Sequence, residues 1–194
     1  QDNVLLVDIN DDPIERITPT GVKTRDNAYD FDILIYATGF DGVTGPYDRI
    51  DICGSGGRRL KDEWADMPKT LLGVQTVGYP NLFMILGPHT ARGNIPRNIE
   101  EIVDWVTGMI KYMREHGLTH AEPRPEAAAD WDVHVEKASE GLLSSKVASW
   151  QTGVNRNVDG RQVLRVLGYN GGVLKYRAKC EAVAAGGYKE FLLK

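Results

Sequence analysis

The chain has 194 residues and a mass of 21.5 kDa, enough for one domain or for one domain with a piece of another. Apolar residues make up 42% and charged residues 26%, the balance of an ordinary globular protein. The formal charge is −4 and the basic residues are scattered, which argues against binding to nucleic acid or to anionic lipid.

The two cysteines, Cys53 and Cys180, lie far apart and lack the spacing of a zinc site or a redox pair. Residues 1–20 have neither the basic start nor the apolar core of a signal peptide. No apolar stretch approaches the length that spans a bilayer, so we predict no membrane contact and a reducing, cytoplasmic setting.

Strand signals dominate the first 40 residues. The apolar run at residues 4–9 predicts a buried strand almost at residue 1, as in an excised fragment. Residues 14–17 and 22–24, with Gly21 between them, predict a hairpin. Residues 29–36 carry the strongest strand signal, which ends at Ala37-Thr38-Gly39.

The middle of the chain alternates loops with one strand and one long helix. Residues 41–80 are rich in glycine and proline and predict loops with short strands, and residues 81–86 predict a further strand that ends at Gly87-Pro88. A helix is predicted from Pro96 to His116, with Asn94 suited to its start. Its apolar stripe consists of Ile99, Ile102, Val103, Val106, Ile110 and Met113.

Two more helices are predicted near the C-terminus, from Pro125 to about Leu142 and from Val173 to Ala185. Residues 144–162 between them are polar and contain glycine, which predicts a long, mobile loop.

The segment at residues 87–96 is the best candidate for a site. Ligands of α/β sheets lie beyond the carboxyl ends of strands, and this segment runs from a predicted strand directly into the long helix. The free N–H groups and the positive end of that helix would suit a flavin edge or a pyrophosphate. The pattern leaves open an ordinary connection without a ligand.

Other motifs give no catalytic or metal site. The glycine cluster at residues 54–57 lacks the third glycine of a dinucleotide loop and no helix pattern follows it. No Ser–His–Asp set, HExxH motif or cysteine–histidine spacing is present, so no catalytic residue and no metal ligand is assigned.

A series of short motifs resembles, in order and spacing, the Baeyer–Villiger monooxygenases of the cyclohexanone monooxygenase type. FDILIYATGF at residues 31–40 resembles the hinge where such enzymes pass from the NADPH domain to the FAD domain. The matches continue to the C-terminus through Gly78-Tyr79-Pro80-Asn81-Leu82-Phe83, Leu86-Gly87-Pro88, Ile99-Glu100, Asp104-Trp105, Ser149-Trp150 and Gly171-Gly172-Val173.

This resemblance implies an α/β fold: the C-terminal part of a flavoprotein with two Rossmann-like dinucleotide-binding domains, for FAD and for NADP. Residues 1–39 would be the last strands of the NADPH domain with the hinge, and residues 40–194 the returning part of the FAD domain. It implies cofactor contacts at Thr38 and Gly39 in the hinge, at Gly87, Pro88, His89, Asn94 and Ile95 beside the flavin, and at Trp150 beside NADP.

Two of these positions have a second interpretation. Many relatives carry glycine, glutamine or asparagine after the Gly-Pro pair, whereas His89 stands here, and this histidine would either meet flavin or substrate or have no role. Trp150 would either anchor a loop over NADP or pack on its own scaffold.

The resemblance implies a parent enzyme that uses FAD, NADPH and O2 to insert one oxygen atom beside a ketone carbonyl, giving an ester or a lactone. Both GxGxxG loops of that family are absent from these residues, so upstream segments would supply them. We predict that the chain alone is colourless and oxidises no NADPH. The alternatives are an N- or S-oxygenating relative, a non-enzymatic docking domain derived from such an enzyme, and an unrelated α/β domain.

Overall fold

The computed structural model describes residues 1–155 and 163–194, which form two compact units, residues 1–39 and residues 40–194. The division falls directly after the Ala37-Thr38-Gly39 sequence. Each unit has secondary structure of its own and is described by itself.

The first unit is a small antiparallel sheet in the order β1-β2-β3, with β1 at Ile14–Thr18, β2 at Gly21–Thr24 and β3 at Ala28–Asp30. Thr18 pairs with Gly21 across a two-residue turn, so the predicted hairpin is confirmed. A side chain at Gly21 would collide with the carbonyl oxygen of Tyr29 on β3, which explains the glycine.

One strand predicted in this unit does not form, and another is shorter than predicted. Among the described residues, residues 4–9 pair with no strand, and the pairing of β3 ends at Asp30. Ile33 and Ile35 are 78% and 81% exposed. The predictions were wrong here because an apolar run becomes a strand only where a neighbouring strand accepts and donates its backbone hydrogen bonds.

Helices dominate the second unit. Its described residues form helices α1 to α5 and a two-stranded antiparallel sheet of β4 and β5. Their bounds are Gly45–Asp48 for α1, Leu60–Glu63 for α2, Ile95–Glu115 for α3, Ala121–Pro123 for β4, Pro125–Ser139 for α4, Val173–Ala185 for α5 and Phe191–Leu193 for β5.

Helix α3 lies within one residue of its predicted bounds at each end. The face that it buries consists of Asn98, Ile102, Val106, Met109 and Met113. Ile99, Val103 and Ile110 of the predicted stripe are 37–41% exposed. The apolar band of α3 is therefore wider than the face that the second unit covers.

The other two long helices also match the sequence. Helix α5 has the predicted bounds, and α4 ends at Ser139, before the predicted Leu142. Trp131 and Val135 on α4 are buried as expected. The chain leaves the helix after Ser139, so Leu142 is 38% exposed and does not lie on the buried face.

The sheet of β4 and β5 is not predicted by the sequence analysis. Ala121 pairs with Leu193 and Pro123 with Phe191, so the end of the chain is held against the segment after α3. The carbonyl oxygen of Lys194 also accepts the N–H groups of Thr119 and His120 at 2.6 and 2.8 Å. Each strand has three residues, too few for a periodic signal.

Aromatic rings fill the core between the helices. The ring centroids of Trp131, Tyr169 and Tyr176 are 5.2–6.2 Å apart. The Tyr176 hydroxyl donates to the carbonyl oxygen of Leu72 at 2.6 Å, and burial raises the pKa of Tyr176 well above its ordinary value. This hydrogen bond fastens α5 to the loop before residue 81.

Residues 41–86 differ from their prediction. Residues 41–80 form α1, α2 and a 3-10 turn at Ser55–Gly57 with isolated bridges, not short strands. Residues 81–86 form no strand; Asn81 and Leu86 adopt left-handed φ angles of 60° and 59°, which limit any extended run to the four residues between them.

The predicted mobile loop at residues 144–162 is only partly described. Its first part contains 3-10 turns at Leu143–Lys146 and Trp150–Thr152. Residues 156–162 lie outside the described residues, and the mobility of the loop stays a prediction.

Candidate functional site

The segment from Gly87 to Arg97 divides into an inner and an outer half. Residues 87–91 are buried, whereas residues 93–97 are exposed at the start of α3. Of the positions predicted to meet a cofactor, Gly87, Pro88 and His89 therefore lie inside the unit. Asn94 and Ile95 lie at its surface, where a ligand has access.

One internal hydrogen bond and two to other parts of the unit hold the inner half in place. The Thr90 hydroxyl donates to the carbonyl oxygen of Gly87 at 2.9 Å, and the N–H of Tyr169 donates to the carbonyl oxygen of Thr90 at 2.9 Å. The side chain of Asn98 donates to the carbonyl oxygen of Ala91 at 3.1 Å. The inner half is thus a fixed base for the exposed half.

The start of α3 offers fewer free amides than the sequence suggests. The Asn94 side chain accepts the N–H of Arg97 at 3.1 Å, and its carbonyl oxygen accepts the N–H of Asn98 at 3.0 Å. Pro96 has no N–H. The N–H of Ile95 has no acceptor among the described residues, which leaves it available to an electron-rich group.

The ring of His89 faces the protein interior. The residue is 2% exposed, and its Nε2 atom lies 3.0 Å from the carbonyl oxygen of Val166. Its backbone N–H donates to the carbonyl oxygen of Leu167 at 3.1 Å, so ring and backbone are both held inside the unit. Neither interpretation from the sequence included a buried histidine.

Trp150 keeps a free face. It begins the 3-10 turn at Trp150–Thr152, which Ser149 and Thr152 cap reciprocally, and it is 53% exposed. The other face of its ring lies on Gly42, where a Cβ would come within 2.8 Å of the ring. Trp150 is thus packed on its own scaffold and also presents an indole surface to solvent.

Arg92 is a residue that the sequence analysis missed. Its guanidinium donates to the side-chain and backbone oxygens of Gln151 at 2.9 and 2.7 Å, and desolvation lowers its pKa from the ordinary value. It therefore joins the segment at residues 87–97 to the turn that carries Trp150. No spacing motif in the sequence relates positions so far apart.

Thr38 and Gly39 belong to the first unit, whereas the other predicted positions belong to the second. Both are exposed, and Gly39 has a φ of 76°, a left-handed value that glycine adopts readily. The described residues contain no group of three or more histidine, cysteine or acidic side chains arranged for a metal ion. None of the described helices is both long and apolar enough to cross a membrane.

Comparison with known proteins settles the resemblance. The chain is 43% identical, over its whole length, to the 2-oxo-Δ3-4,5,5-trimethylcyclopentenylacetyl-CoA monooxygenase of Pseudomonas putida. It is 40% identical over 98% of its length to the phenazine N-monooxygenase PhzNO1 of Lysobacter antibioticus, and 37% identical over 99% to a Baeyer–Villiger monooxygenase of Pseudooceanicola batsensis. None of the protein-family models matches.

Solved structures agree with the sequences. A closed crystal structure of cyclohexanone monooxygenase matches 97% of the chain with a TM-score of 0.87 and 40% identity. The OTEMO complex with FAD and NADP matches the whole chain with a TM-score of 0.86 and 41% identity. The chain is a homologue of the Baeyer–Villiger monooxygenases.

The matches cover 97–100% of this chain but only part of each relative. The chain spans about a third of their length, 35–36% of the three relatives and 35% of the two structures. These values agree with the predicted resemblance to a C-terminal portion, and the structural similarity to cyclohexanone monooxygenase confirms the expected fold class. The roles of Thr38, Gly39, Gly87, Pro88, His89, Asn94, Ile95 and Trp150 stay predictions.

Proposed function

We propose that this chain is part of an FAD- and NADPH-dependent Baeyer–Villiger monooxygenase. The parent enzyme would insert one oxygen atom of O2 beside a ketone carbonyl and release an ester or a lactone. The observation that carries this proposal is the match of the entire chain to a flavoprotein complex with FAD and NADP, at 41% identity. The match includes the exposed start of α3.

The start of α3 fits a flavin. The N–H of Ile95 is available as a donor, and the positive end of a helix that extends to Glu115 favours an electron-rich group. Asn94 and Ile95 would hold the flavin edge, while Gly87, Pro88 and His89 would support them from inside. When bound, the flavin supplies the activation of O2, and the chain contributes positioning and electrostatics.

Trp150 fits the nicotinamide cofactor. Its exposed indole face and N–H would contact NADP, with Gly42 behind the ring. Arg92 would hold this turn beside the flavin segment through Gln151. The two cofactors would then be positioned by neighbouring parts of the same unit.

The remaining assignments concern the parent protein. Residues 1–39 would end the NADPH domain, with Thr38 and Gly39 at the hinge, and residues 40–194 would complete the FAD domain. Upstream segments would supply both phosphate-binding loops, and the enzyme would act in the cytoplasm on a ketone and O2.

The test is to express the full-length gene product and this chain side by side. We expect the full-length protein to carry FAD, to consume NADPH faster when a cyclic ketone is added, and to form a lactone that gas chromatography with mass spectrometry detects. The chain alone should be colourless and inactive. A full-length protein without flavin would overturn the proposal, and an N-oxide from a heteroaromatic amine without any lactone would instead favour the N-oxygenating alternative.

A further inference from the structure

His89 holds an unusual backbone conformation in the inner half of the cofactor segment. Its φ angle is +70°, in the left-handed region that a residue with a Cβ adopts only at a cost in energy. The next residues lead from this turn to Asn94 and the start of α3. The φ angle of His89 therefore sets the direction in which the exposed half of the segment leaves the core.

The imidazole of His89 is bound on both sides. A carbonyl oxygen only accepts hydrogen bonds, so Nε2 donates to Val166 at 3.0 Å. Nδ1 lies 3.3 Å from the Thr70 hydroxyl and 3.3 Å from Oδ1 of Asp132. The Thr70 hydroxyl in turn lies 3.1 Å from the carbonyl oxygen of Pro88. The buried ring of His89 is thus surrounded by residues of three other segments that are distant in sequence, at Thr70, Asp132 and Val166.

Asp132 on α4 lies beside this ring without a hydrogen bond to it. Its Oδ1 atom is buried, 3.3 Å from Nδ1 of His89, and has no hydrogen-bond partner among the described residues. The tautomer that donates from Nε2 has an acceptor at Nδ1, so Asp132 packs against the ring but does not bond to it.

We propose that His89 is a positioning residue, which locks the left-handed turn through Val166 and Thr70 and so orients Asn94 and Ile95 toward their ligand. The ligand part of this inference rests on the proposed flavin site. Glycine, the common residue at such φ angles, would permit the turn without fixing it. The histidine fixes it by bonds from its side chain.

The first experiment measures amide hydrogen exchange in this chain, in the variants His89→Asn and Thr70→Val. Asparagine tolerates a left-handed backbone but is too short to bridge to Val166 and Thr70, and valine keeps the shape of Thr70 without its hydroxyl. Val135→Ala, at another buried position of the same unit, is the control for general loss of packing. We expect amides of residues 90–98 to exchange at least tenfold faster in both test variants while α5 is unchanged.

Two results of that experiment would overturn the positioning role. One is exchange at residues 90–98 within about twofold of the original chain in His89→Asn, which would mean that the ring fixes nothing. The other is equally faster exchange at residues 90–98 in Val135→Ala, which would mean that any loss of core packing increases exchange in this segment.

The second experiment separates this inference from the proposed function. In the full-length protein we expect His89→Asn to weaken FAD retention about tenfold and to change the visible circular dichroism of the bound flavin, while Val135→Ala leaves both unchanged. Faster exchange with unaltered FAD binding would uphold the positioning role and refute the flavin site at this segment. Full-length protein that never binds FAD would refute the proposed function while the exchange result still decides the role of His89.

Discussion

The cap of α3 allows one quantitative test of the site. Asn94→Ala removes the side-chain acceptor of the Arg97 N–H, while the backbone bond from Asn98 to residue 94 survives. One capping bond is therefore lost, which should lower the free energy of unfolding by about 1 kcal/mol. Asn94→Asp keeps the acceptor and places a negative charge at the positive end of α3, which should add about 0.3–1 kcal/mol.

From most to least stable, the expected order is thus Asn94→Asp, the original chain and Asn94→Ala. Urea denaturation followed by tryptophan fluorescence measures it for the second unit alone, because all four tryptophans lie within residues 40–194. FAD binding by the full-length protein should show a different order, with Asn94→Asp weakest because its carboxylate repels the electron-rich flavin edge. An aspartate variant less stable than the alanine variant would refute the reasoning.

Three further predictions concern buried groups and the indole surface. Burial raises the pKa of Cys180 to about 12, so the stability that it contributes is complete below the unfolded pKa of about 8.5 and is lost as the pH rises through 12. Urea denaturation at pH values from 8 to 11 should show this loss of stability, and Cys180→Ala should make the loss smaller. A pH dependence of stability identical to that of the original chain would contradict the prediction. Tyr176→Phe leaves the carbonyl oxygen of Leu72 unpaired and should cost about 1–3 kcal/mol in urea denaturation, and an unchanged midpoint would contradict this. Gly42→Ala places a methyl group within 2.8 Å of the Trp150 ring and should displace it outward, shifting tryptophan emission to the red while stability changes by less than about 0.5 kcal/mol. In the full-length protein the same variant should raise the KM for NADPH, and an unaltered KM would argue against Trp150 as a cofactor contact.

Local signals in the sequence were sufficient for the three long helices, α3, α4 and α5. The start of α3 is predicted by Asn94 and Pro96, and the periodicity of Ile102, Val106 and Met113 is visible without knowledge of the fold. The same holds for the hairpin of β1 and β2, whose turn residues are adjacent. These elements satisfy most of their hydrogen bonds within a short stretch of chain.

Features that depend on distant partners could not be predicted. β4 and β5 are about 70 residues apart, and three residues carry no periodic pattern. The sequence analysis could not decide whether His89 contacts a ligand or has no role, because nothing in the sequence relates it to Thr70, Asp132 or Val166. The strand signal at residues 29–36 was correct only for residues 29–30, which pair with β2; residues 31–36 pair with no strand among the described residues.

The uncovered residues 31–36 have a practical consequence for handling the chain. Phe31, Ile33 and Ile35 alternate with Asp32, Leu34 and Tyr36 and lie open to solvent. Such a run can bind the same run in another copy of the chain, because two exposed strand edges can pair through backbone hydrogen bonds. At high concentration the polypeptide should form soluble clusters or inclusion bodies, and a lysine in place of Ile33 or Ile35 should keep it dispersed.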